Sequence, residues 1–316
     1  MAEKIATREA LGDELAALGG RKKDLVVLTA DLADATRVEY FRRAYPERFF
    51  DCGIAEGNMM AVAAGLAAAG KTVFASSFAM FTAGRAFEQI RNSIGYTALN
   101  VKIAATHAGV SVGEDGASHQ CSEDIALMRV IPGMVVINPA DYTEARAAVA
   151  AAAEMRGPCY LRFGRAAVPD LSAEDPAYTF EIGRGRLLAS GRDVTILASG
   201  ITVGMALDAK KLLVADGIDA EVINIHTIKP LDTELILRSL RKTGCAVTAE
   251  EHSVIGGLGG AVAELICDAF PVPLRRVGVE DVWGESGSAA MLLDAYGISA
   301  ANIAAKARAA VNAKKE

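Results

Sequence analysis

Short aliphatic and β-branched runs alternate with alanine-rich helical patterns along the whole chain, and this alternation most constrains its fold. In the first half, the predicted strands lie at 24–30, 72–77, 100–106, 134–139 and 159–163. The helical patterns between them lie at 8–18, 56–69, 80–94, 122–130 and 141–155. Continuous apolar strands that alternate with helices are typical of a parallel sheet covered by helices on both faces. We therefore predict an α/β fold.

A proline- and acid-rich segment, 167–183, interrupts the alternation and indicates a linker. After it, strands are predicted at 193–199, 220–225 and 245–250. Helices are predicted near 202–215, 233–242, 259–269, 287–295 and 300–314. The length of 316 residues exceeds that of a typical single domain. We expect two domains, 1–172 and 186–316, joined by a linker at 173–185, each with a mostly parallel sheet.

The composition limits the possible partners. The chain is 52% hydrophobic, which provides material for buried cores, and its formal net charge of −6 argues against a nucleic-acid or anionic-membrane surface. The charged N-terminal segment carries no apolar signal core, so we expect a soluble, cytoplasmic protein with no membrane partner. The five cysteines contain no C-x-x-C pair, and the four histidines lack metal-ligand spacing. Neither a disulfide framework nor a metal site is predicted.

Glu56 is the most informative acid of the sequence, in FFDCGIAEGNMMAVAAG. It stands at the start of a predicted helix, where a carboxylate can cap free N–H groups and meet the favourable end of the helix dipole. The surrounding residues are small and apolar, which indicates a buried turn between a strand and a helix. Burial destabilises the charged form of a carboxylate, and this suits a group that shares a proton with a heterocyclic nitrogen.

Two further segments carry candidate site residues. Phe78 and Phe81 follow a predicted strand, where rings can stack on a flat heteroaromatic ligand, whereas Phe87 fits an ordinary helix face. In ATHAGVSVGEDGASHQ, His107 and His119 bracket a loop with three glycines and Asp115. Glycines this dense after a strand indicate a sharp bend or a close approach, and the histidines favour a site for a polar ligand.

Arg8 and Arg165 lie at the ends of predicted α/β elements. Each could be an ordinary surface residue. Ligands collect at such ends in this architecture, however, and arginine suits phosphate recognition.

Together these segments resemble the C-terminal portion of transketolase over essentially the whole chain. The matching stretches are IATR (5–8), ADLADAT (30–36), CGIAEGNMM (52–60), SFAMF (77–81), THAGVSVGEDGASHQ (106–120), RFGR (162–165), HTIKPLD (226–232) and EEHSVIGGLG (250–259). In that family, a diphosphate-binding domain precedes a pyrimidine-binding and a C-terminal domain. The resemblance implies that residues 1–172 are the pyrimidine domain and residues 186–316 the C-terminal domain.

The resemblance also implies roles for the candidate residues. Glu56 would hydrogen-bond the aminopyrimidine of thiamine diphosphate, and Phe81, with Phe78 beside it, would pack on that ring. The substrate channel would be lined by Arg8, His107 and Arg165, which would hold the sugar phosphate. Asp115 would contact a hydroxyl of the ketose, and His119 the hydroxyls next to the reacting carbon. His107 and His119 would also move protons, because a histidine pKa usually lies near neutrality.

Three departures from the family pattern affect these expectations. Ala35 stands where relatives often carry a phosphate-binding serine, and Thr36 is a possible substitute. The segment between Phe81 and Arg85 is one residue longer than in some relatives. No GDG motif occurs, although the family uses one to hold the divalent cation of the cofactor diphosphate. The resemblance therefore implies a split enzyme, whose N-terminal partner subunit holds Mg²⁺ or another divalent cation.

The implied reaction is transfer of a two-carbon ketol unit from a ketose phosphate to an aldose phosphate, as in the pentose phosphate pathway. The expected assembly is a heterotetramer, α2β2. One alternative is the β subunit of a 2-oxo-acid dehydrogenase decarboxylase, which shares the length and the activating glutamate. A non-catalytic assembly subunit is another alternative. Deoxyxylulose-phosphate synthase fits less well, because it is normally one unbroken chain.

Overall fold

The computed structural model describes residues 4–314, and they form two large helix-covered sheets and one small sheet. The elements of the first half are β1 Lys4–Ala6, α1 Thr7–Arg21, β2 Leu25–Thr29, α2 Glu39–Ala44, β3 Phe49–Asp51, α3 Glu56–Ala68, β4 Thr72–Phe78, α4 Phe87–Gln89, β5 Val101–Thr106, α5 Asp124–Arg129, β6 Val135–Ile137, α6 Tyr142–Glu154, β7 Cys159–Arg162 and β8 Ala167–Pro169. Short 3₁₀ helices span Pro46–Arg48, Val110–Asp115 and Ser172–Glu174.

The second half contributes a similar alternation of strands and helices. Its elements are β9 Arg186–Ala189, β10 Val194–Ala198, α7 Thr202–Val214, β11 Ala220–Asn224, β12 Thr227–Lys229, α8 Thr233–Thr243, β13 Ala246–Ser253, α9 Leu258–Ala269, β14 Leu274–Val279, α10 Ala289–Ala295 and α11 Ala300–Ala313. Its sheet has the order β14-β13-β10-β11-β9, and only the edge strand β9 is antiparallel within it. The predicted α/β class is confirmed.

The first large sheet has seven strands in the order β12-β6-β7-β5-β4-β2-β3. Its strands are parallel except β12, which comes from the second half of the chain and pairs antiparallel with β6. β12 is not apparent from the sequence, because a three-residue strand before a proline leaves no periodicity. The two halves therefore share a sheet, and the boundaries proposed at 172 and 186 stay a prediction.

One predicted helix differs in the structure. The segment 80–94 was expected to be a continuous α-helix, but π-helical turns at Met80–Arg85 and Ile90–Gly95 flank the short α4. A π turn accommodates one extra residue in a helix, and such turns are frequent at functional sites. The additional residue suggested between Phe81 and Arg85, relative to some relatives, stays a prediction.

The topology brings the candidate site residues together. Parallel strands β2, β4, β5 and β7 end at the same edge of the sheet, so the loops that follow them converge there. Glu56 begins α3, directly after β3 at one side of this edge.

A buried ion pair between Asp124 and Arg162 lies next to this edge of the first sheet. Asp124 of α5 accepts hydrogen bonds from Arg162 Nε at 2.7 Å and from the Tyr160 hydroxyl at 2.8 Å. The Arg162 guanidinium also donates to the carbonyl oxygen of Glu251 in the second half, at 2.8 Å. Burial alone would raise the pKa of Asp124, but the Arg162 charge and these hydrogen bonds outweigh it and lower that pKa. The pair therefore joins α5, β7 and the second half of the chain.

We predict that Asp124→Asn lowers the free energy of unfolding by about 3–5 kcal/mol, because it leaves the Arg162 charge buried without its partner. Urea unfolding of the purified chain measures the change. The control is Asp34→Asn, whose carboxylate is 87% exposed and pairs with Arg37 at the surface. It should cost less than about 1 kcal/mol. Equal losses in the two variants would contradict the structural role of the buried pair.

Candidate active site

Glu56 lies at the first position of α3 and is 2% exposed. Its carboxylate does not cap the helix. Instead, Oε2 accepts a hydrogen bond from Arg85 Nη1 at 2.7 Å. The Arg85 guanidinium lies over the Phe81 ring, 4.7 Å from the centroid. The capping role considered from the sequence is therefore not what the structure shows, and a buried carboxylate faces the site with a cation beside it.

Four rings form one cluster next to Glu56. The rings of Phe78 and Phe81 are nearly parallel, with centroids 5.8 Å apart. His107 packs on Phe78 at 3.9 Å, and the edge of His119 meets Phe81 at 5.2 Å. Phe78 is buried and Phe81 is partly exposed, so Phe81 presents the accessible ring face. Phe87 packs against the core of the first sheet, as the sequence analysis favoured.

The glycine-rich loop is held in place by the second half of the chain. Gly109, Gly113 and Gly116 all have positive φ, which L-residues with a side chain rarely adopt. A Cβ on Gly109 would lie 2.4 Å from the Glu251 carboxyl carbon, and the backbone N–H of Ser111 donates to Glu251 Oε1 at 2.6 Å. Gly109 thus allows a close approach to Glu251.

The EEHSVIGGLG segment, which contains Glu251, also makes structural contacts through the residues on either side of it. Glu250 accepts hydrogen bonds from the backbone N–H groups of Leu258 and Gly259, at 2.7 and 2.8 Å, and so caps the first turn of α9. His252 is buried and accepts a hydrogen bond from the Ala126 backbone at 3.3 Å. In the sequence, this segment shows only a family resemblance and predicts no contact. Only the fold shows that Glu251 reaches the glycine loop.

His107 is held as a neutral imidazole. Arg8 Nη1 lies 3.0 Å from Nε2 and can only donate, so Nε2 accepts; the proton then sits on Nδ1, 2.9 Å from the Thr106 hydroxyl. Burial, followed by the Arg8 and Arg165 charges, lowers the pKa of His107 to about 3. The expectation of a near-neutral pKa is wrong for this histidine. It can accept or donate a hydrogen bond in its neutral form, but it carries no acidic proton near neutral pH.

A cluster of arginines lies on the other side of His107. Arg8 donates to the carbonyl oxygen of Ala35 at 3.1 Å, and its buried Nε has no hydrogen-bond partner within residues 4–314. Burial and the neighbouring Arg37 and Arg165 charges lower the pKa of Arg8. Glu9 offsets part of this charge, since its Oε1 lies 4.0 Å from Arg8 Nε and 2.8 Å from Arg37 Nε. The remaining repulsion and the donor without a hydrogen bond indicate a site that an anion would stabilise.

Arg165 connects this cluster to the glycine loop. Its Nη1 donates to the carbonyl oxygen of Val112 and lies 3.3 Å from Glu114 Oε2 and 3.9 Å from Asp115 Oδ2. Asp115 is exposed, and His119, which lies 3.0 Å from the Ser118 hydroxyl, is half-buried. All the candidate residues therefore lie along one wall, which runs from Glu56 through the four rings to the arginines.

The structure adds two residues that sequence reasoning missed and excludes one. Arg85 pairs with Glu56, and Arg37 stands beside Arg8, held by Glu9 Oε1 at 2.8 Å. Thr36, considered as a phosphate ligand, is buried and donates to the carbonyl oxygen of Leu32 at 2.8 Å, so that suggestion is wrong. The signal for Arg37 was available, since it directly follows the ADLADAT stretch.

These features define a two-domain α/β chain with one wall of a candidate active site. Residues 3–170 match the transketolase pyrimidine-binding domain family, and residues 183–303 match the transketolase C-terminal domain family. A Methanocaldococcus jannaschii protein described as a transketolase C-terminal section is 50% identical over 94% of this chain and 93% of its own length. The 6-deoxy-6-sulfo-D-fructose transketolase subunit of a Clostridium species is 46% identical over 88% of this chain and 86% of its own.

Solved structures agree. A split-gene transketolase described as an inactive β4 tetramer is 52% identical, covers 99% of this chain and 100% of its own, and superposes with a TM-score of 0.90. The transketolase of Leishmania mexicana shares the fold over 100% of this chain, which spans 47% of that longer protein, with a TM-score of 0.85 at 24% identity. The chain therefore belongs to the transketolase family of thiamine-diphosphate enzymes. The 2-oxo-acid dehydrogenase alternative is not favoured.

Among residues 4–314, no group of three or more histidine, cysteine, aspartate or glutamate side chains could hold a metal ion. Over the same residues, no helix is long and apolar enough to cross a membrane.

We predict that the His107 ring remains neutral and protonated at Nδ1 down to about pH 4, because burial and the arginines oppose its second proton. Ring ¹⁵N chemical shifts of the isolated chain measure this between pH 4 and 8. Since the unfolded histidine has a pKa near 6.5, the unfolded state binds more protons below that pH, and His107 then makes stability fall as pH falls. Arg8→Met should raise the His107 pKa. A midpoint between pH 6 and 7 in the unaltered chain would contradict this assignment.

Proposed function

We propose that this chain is the C-terminal subunit of a split transketolase. It transfers a two-carbon ketol unit from a ketose phosphate to an aldose phosphate when joined to an N-terminal subunit. The single observation that carries the proposal is the buried Glu56 carboxylate, which the Arg85 guanidinium joins to the Phe81 ring. A carboxylate next to an accessible aromatic face fits a protonated aminopyrimidine, which requires both a hydrogen-bond acceptor and a stacking surface.

Thiamine diphosphate requires a site for its pyrimidine ring and a site for its diphosphate and cation. We propose that this chain provides the pyrimidine site only. Among the described residues there is no set of metal ligands, which supports assignment of Mg²⁺ or another divalent cation and of the diphosphate to the partner subunit. The split relatives support the same division, and an α2β2 assembly is part of the proposal. The domain boundaries, a cytoplasmic location and a place in pentose phosphate metabolism also belong to it, on the sequence resemblance alone.

Each residue of the wall has a proposed task. Thiamine diphosphate, when bound, supplies the carbon nucleophile, and Glu56 holds the proton on its pyrimidine ring. Phe81 packs on that ring, and Phe78 supports Phe81. Neutral His107, whose ring is oriented by Arg8 and Thr106, lines the substrate channel. His119 is placed to contact the substrate hydroxyls and move a proton.

The arginines bind the distal anionic group of the sugar. Arg8 contributes its guanidinium, whose buried Nε makes no hydrogen bond among residues 4–314 and lies 4.0 Å from Glu9 Oε1. Arg165 lies 3.9 Å from Asp115 Oδ2. Asp115 would accept a hydrogen bond from a substrate hydroxyl. Phosphate is the anion we favour, since planar donors of arginine match its oxygens. One relative is named for a sulfo-sugar, so a ketose that carries a sulfonate is the second class of ketol donor to assay.

The overall test is reconstitution. The chain is mixed with a transketolase N-terminal subunit, thiamine diphosphate and Mg²⁺, and two-carbon transfer is assayed with ketose phosphates, a sulfo-ketose and a 2-oxo acid. We expect activity with an anionic ketose only when both subunits and the cofactor are present. Turnover of the 2-oxo acid alone, or a complex that does not bind thiamine diphosphate, would contradict the proposal.

We predict that Glu56→Gln lowers kcat of the reconstituted enzyme by about 10²–10⁴-fold, because the amide cannot hold the pyrimidine proton. The subunits should still assemble, which size-exclusion chromatography checks. Glu154→Gln is the matched control: this exposed acid pairs with Lys22 at the end of α6, at the opposite edge of the sheet. It should keep near-normal activity. Near-normal kcat in Glu56→Gln would refute the role given to Glu56.

We predict that Arg8→Met raises the KM of a phosphorylated ketose by roughly 10–100-fold. The reason is the loss of charge-assisted hydrogen bonds, each of which contributes about 1.5–3 kcal/mol. An unphosphorylated ketose assayed with the same variant is the internal control. Its kcat/KM should change by less than about threefold. Equal effects on both donors would show that Arg8 acts on the site in general and not on the phosphate.

A further inference from the structure

Arg85 occupies two contacts of the proposed pyrimidine site at once. Its Nη1 donates to Glu56 Oε2 at 2.7 Å, and its guanidinium carbon lies 4.7 Å from the centroid of the Phe81 ring. These are the acceptor and the ring face that the aminopyrimidine would need. One side chain therefore stands where the proposed function places a part of the cofactor.

The chemistry of the two groups explains this position. A guanidinium is planar, delocalised and cationic, carries several N–H donors and stacks on aromatic faces. An aminopyrimidine protonated on its ring nitrogen is also planar and cationic, and it also donates N–H groups to a carboxylate. The pocket thus accepts the same combination of charge, donors and flat shape from either group.

We propose that Arg85 is an internal substitute for the aminopyrimidine, which neutralises Glu56 in the cofactor-free chain and moves aside when thiamine diphosphate binds. This inference rests on the proposed function. It makes Arg85 a positioning residue, since it acts through Glu56 and not on the substrate.

The energetics favour a contact that is useful without cofactor and easily broken. Glu56 is 2% exposed, and a buried carboxylate without a partner is costly. The Arg85 side chain is 53% exposed, so solvent can take up its guanidinium when it leaves the carboxylate. Within residues 4–314, Glu56 and Phe81 are the side chains that the structure gives it as partners. A half-exposed ion pair of this kind is weak enough to yield to a ligand.

Arg85 lies in an irregular helical segment, Met80–Gly95. Arg85 is the last residue of the π-helical turn Met80–Arg85, directly before the short helix Phe87–Gln89. From the end of this turn, the guanidinium lies above Phe81. Since the guanidinium and the aminopyrimidine cannot occupy the same contacts together, the affinity for the cofactor is reduced by the fraction of molecules with the pair closed.

The test is calorimetric titration of thiamine diphosphate, with saturating Mg²⁺, into the complex reconstituted with the N-terminal subunit. Arg85→Met removes the charge and the donors while retaining length. We expect it to tighten cofactor binding by roughly threefold to tenfold, because the competing pair is absent. Arg85→Lys, which retains the charge but not the planar group, should have a smaller effect.

Two controls separate competition from a general structural effect. Arg308→Met removes a comparable arginine of α11, which is 42% exposed and paired with Asp216. This change should leave the cofactor Kd unchanged. In a Glu56→Gln background, Arg85→Met should change the Kd by less than about twofold, because the guanidinium no longer has a carboxylate to compete for. The isolated Arg85→Met chain should also unfold at a lower temperature than the unaltered chain, with the loss reduced in the Glu56→Gln background.

The outcomes distinguish this inference from the proposed function. If the unaltered complex binds thiamine diphosphate and Arg85→Met leaves the Kd unchanged or weakens it, the substitute role is overturned while the proposed function stands. If neither the unaltered complex nor Arg85→Met binds the cofactor, the proposed function fails and this inference with it. Tighter binding in Arg85→Met that disappears in the Glu56→Gln background supports the substitute role.

Discussion

The contact between Glu251 and the glycine-rich loop is the interaction on which the rest of the site depends. The Glu251 carboxylate accepts the Ser111 N–H, and the backbone at Gly109 approaches it so closely that any side chain there would collide. The carbonyl oxygen of the same residue accepts a hydrogen bond from Arg162 of β7. Burial raises the pKa of Glu251, while Arg162 and Ser111 oppose that rise. Glu251, a residue of the second half, thus contacts both the glycine-rich loop and strand β7 of the first half.

The charges of the site follow a simple order along the wall. A buried carboxylate lies at one end, neutral rings lie in the middle, and mutually repelling arginines lie at the other end. At one end, the half-exposed Arg85 offsets the charge of Glu56. At the other end, the buried Nε of Arg8 makes no hydrogen bond among the described residues. The charge or the donor at each end is therefore only partly compensated within the described chain. A ligand with a cationic flat group and another with a distal anion satisfy these needs. The pattern agrees with a cofactor and a sugar phosphate that meet between the two ends.

The sequence predicted those candidate residues that have a distinctive side chain and directly follow a strand. Glu56, Phe78, Phe81 and the loop histidines all follow strands, so the alternating pattern alone placed them at one edge of a parallel sheet. Arg85 and Arg37 lie a few residues farther along, where the direction of a long side chain depends on local turns. The π-helical turn and the positive φ of Arg37 set those directions, and neither has a clear signal in the sequence.

By itself, the sequence determined the α/β class, the convergence of the candidate residues and the family resemblance, because periodicity and local motifs record them directly. Tertiary structure alone decided three things: that β12 completes the first sheet, that Glu251 holds the glycine loop, and that His107 is a neutral imidazole. Each depends on groups more than 80 residues apart along the chain or on the burial of a charge. Burial and long-range contact are properties of packing, and no local pattern of residues carries them.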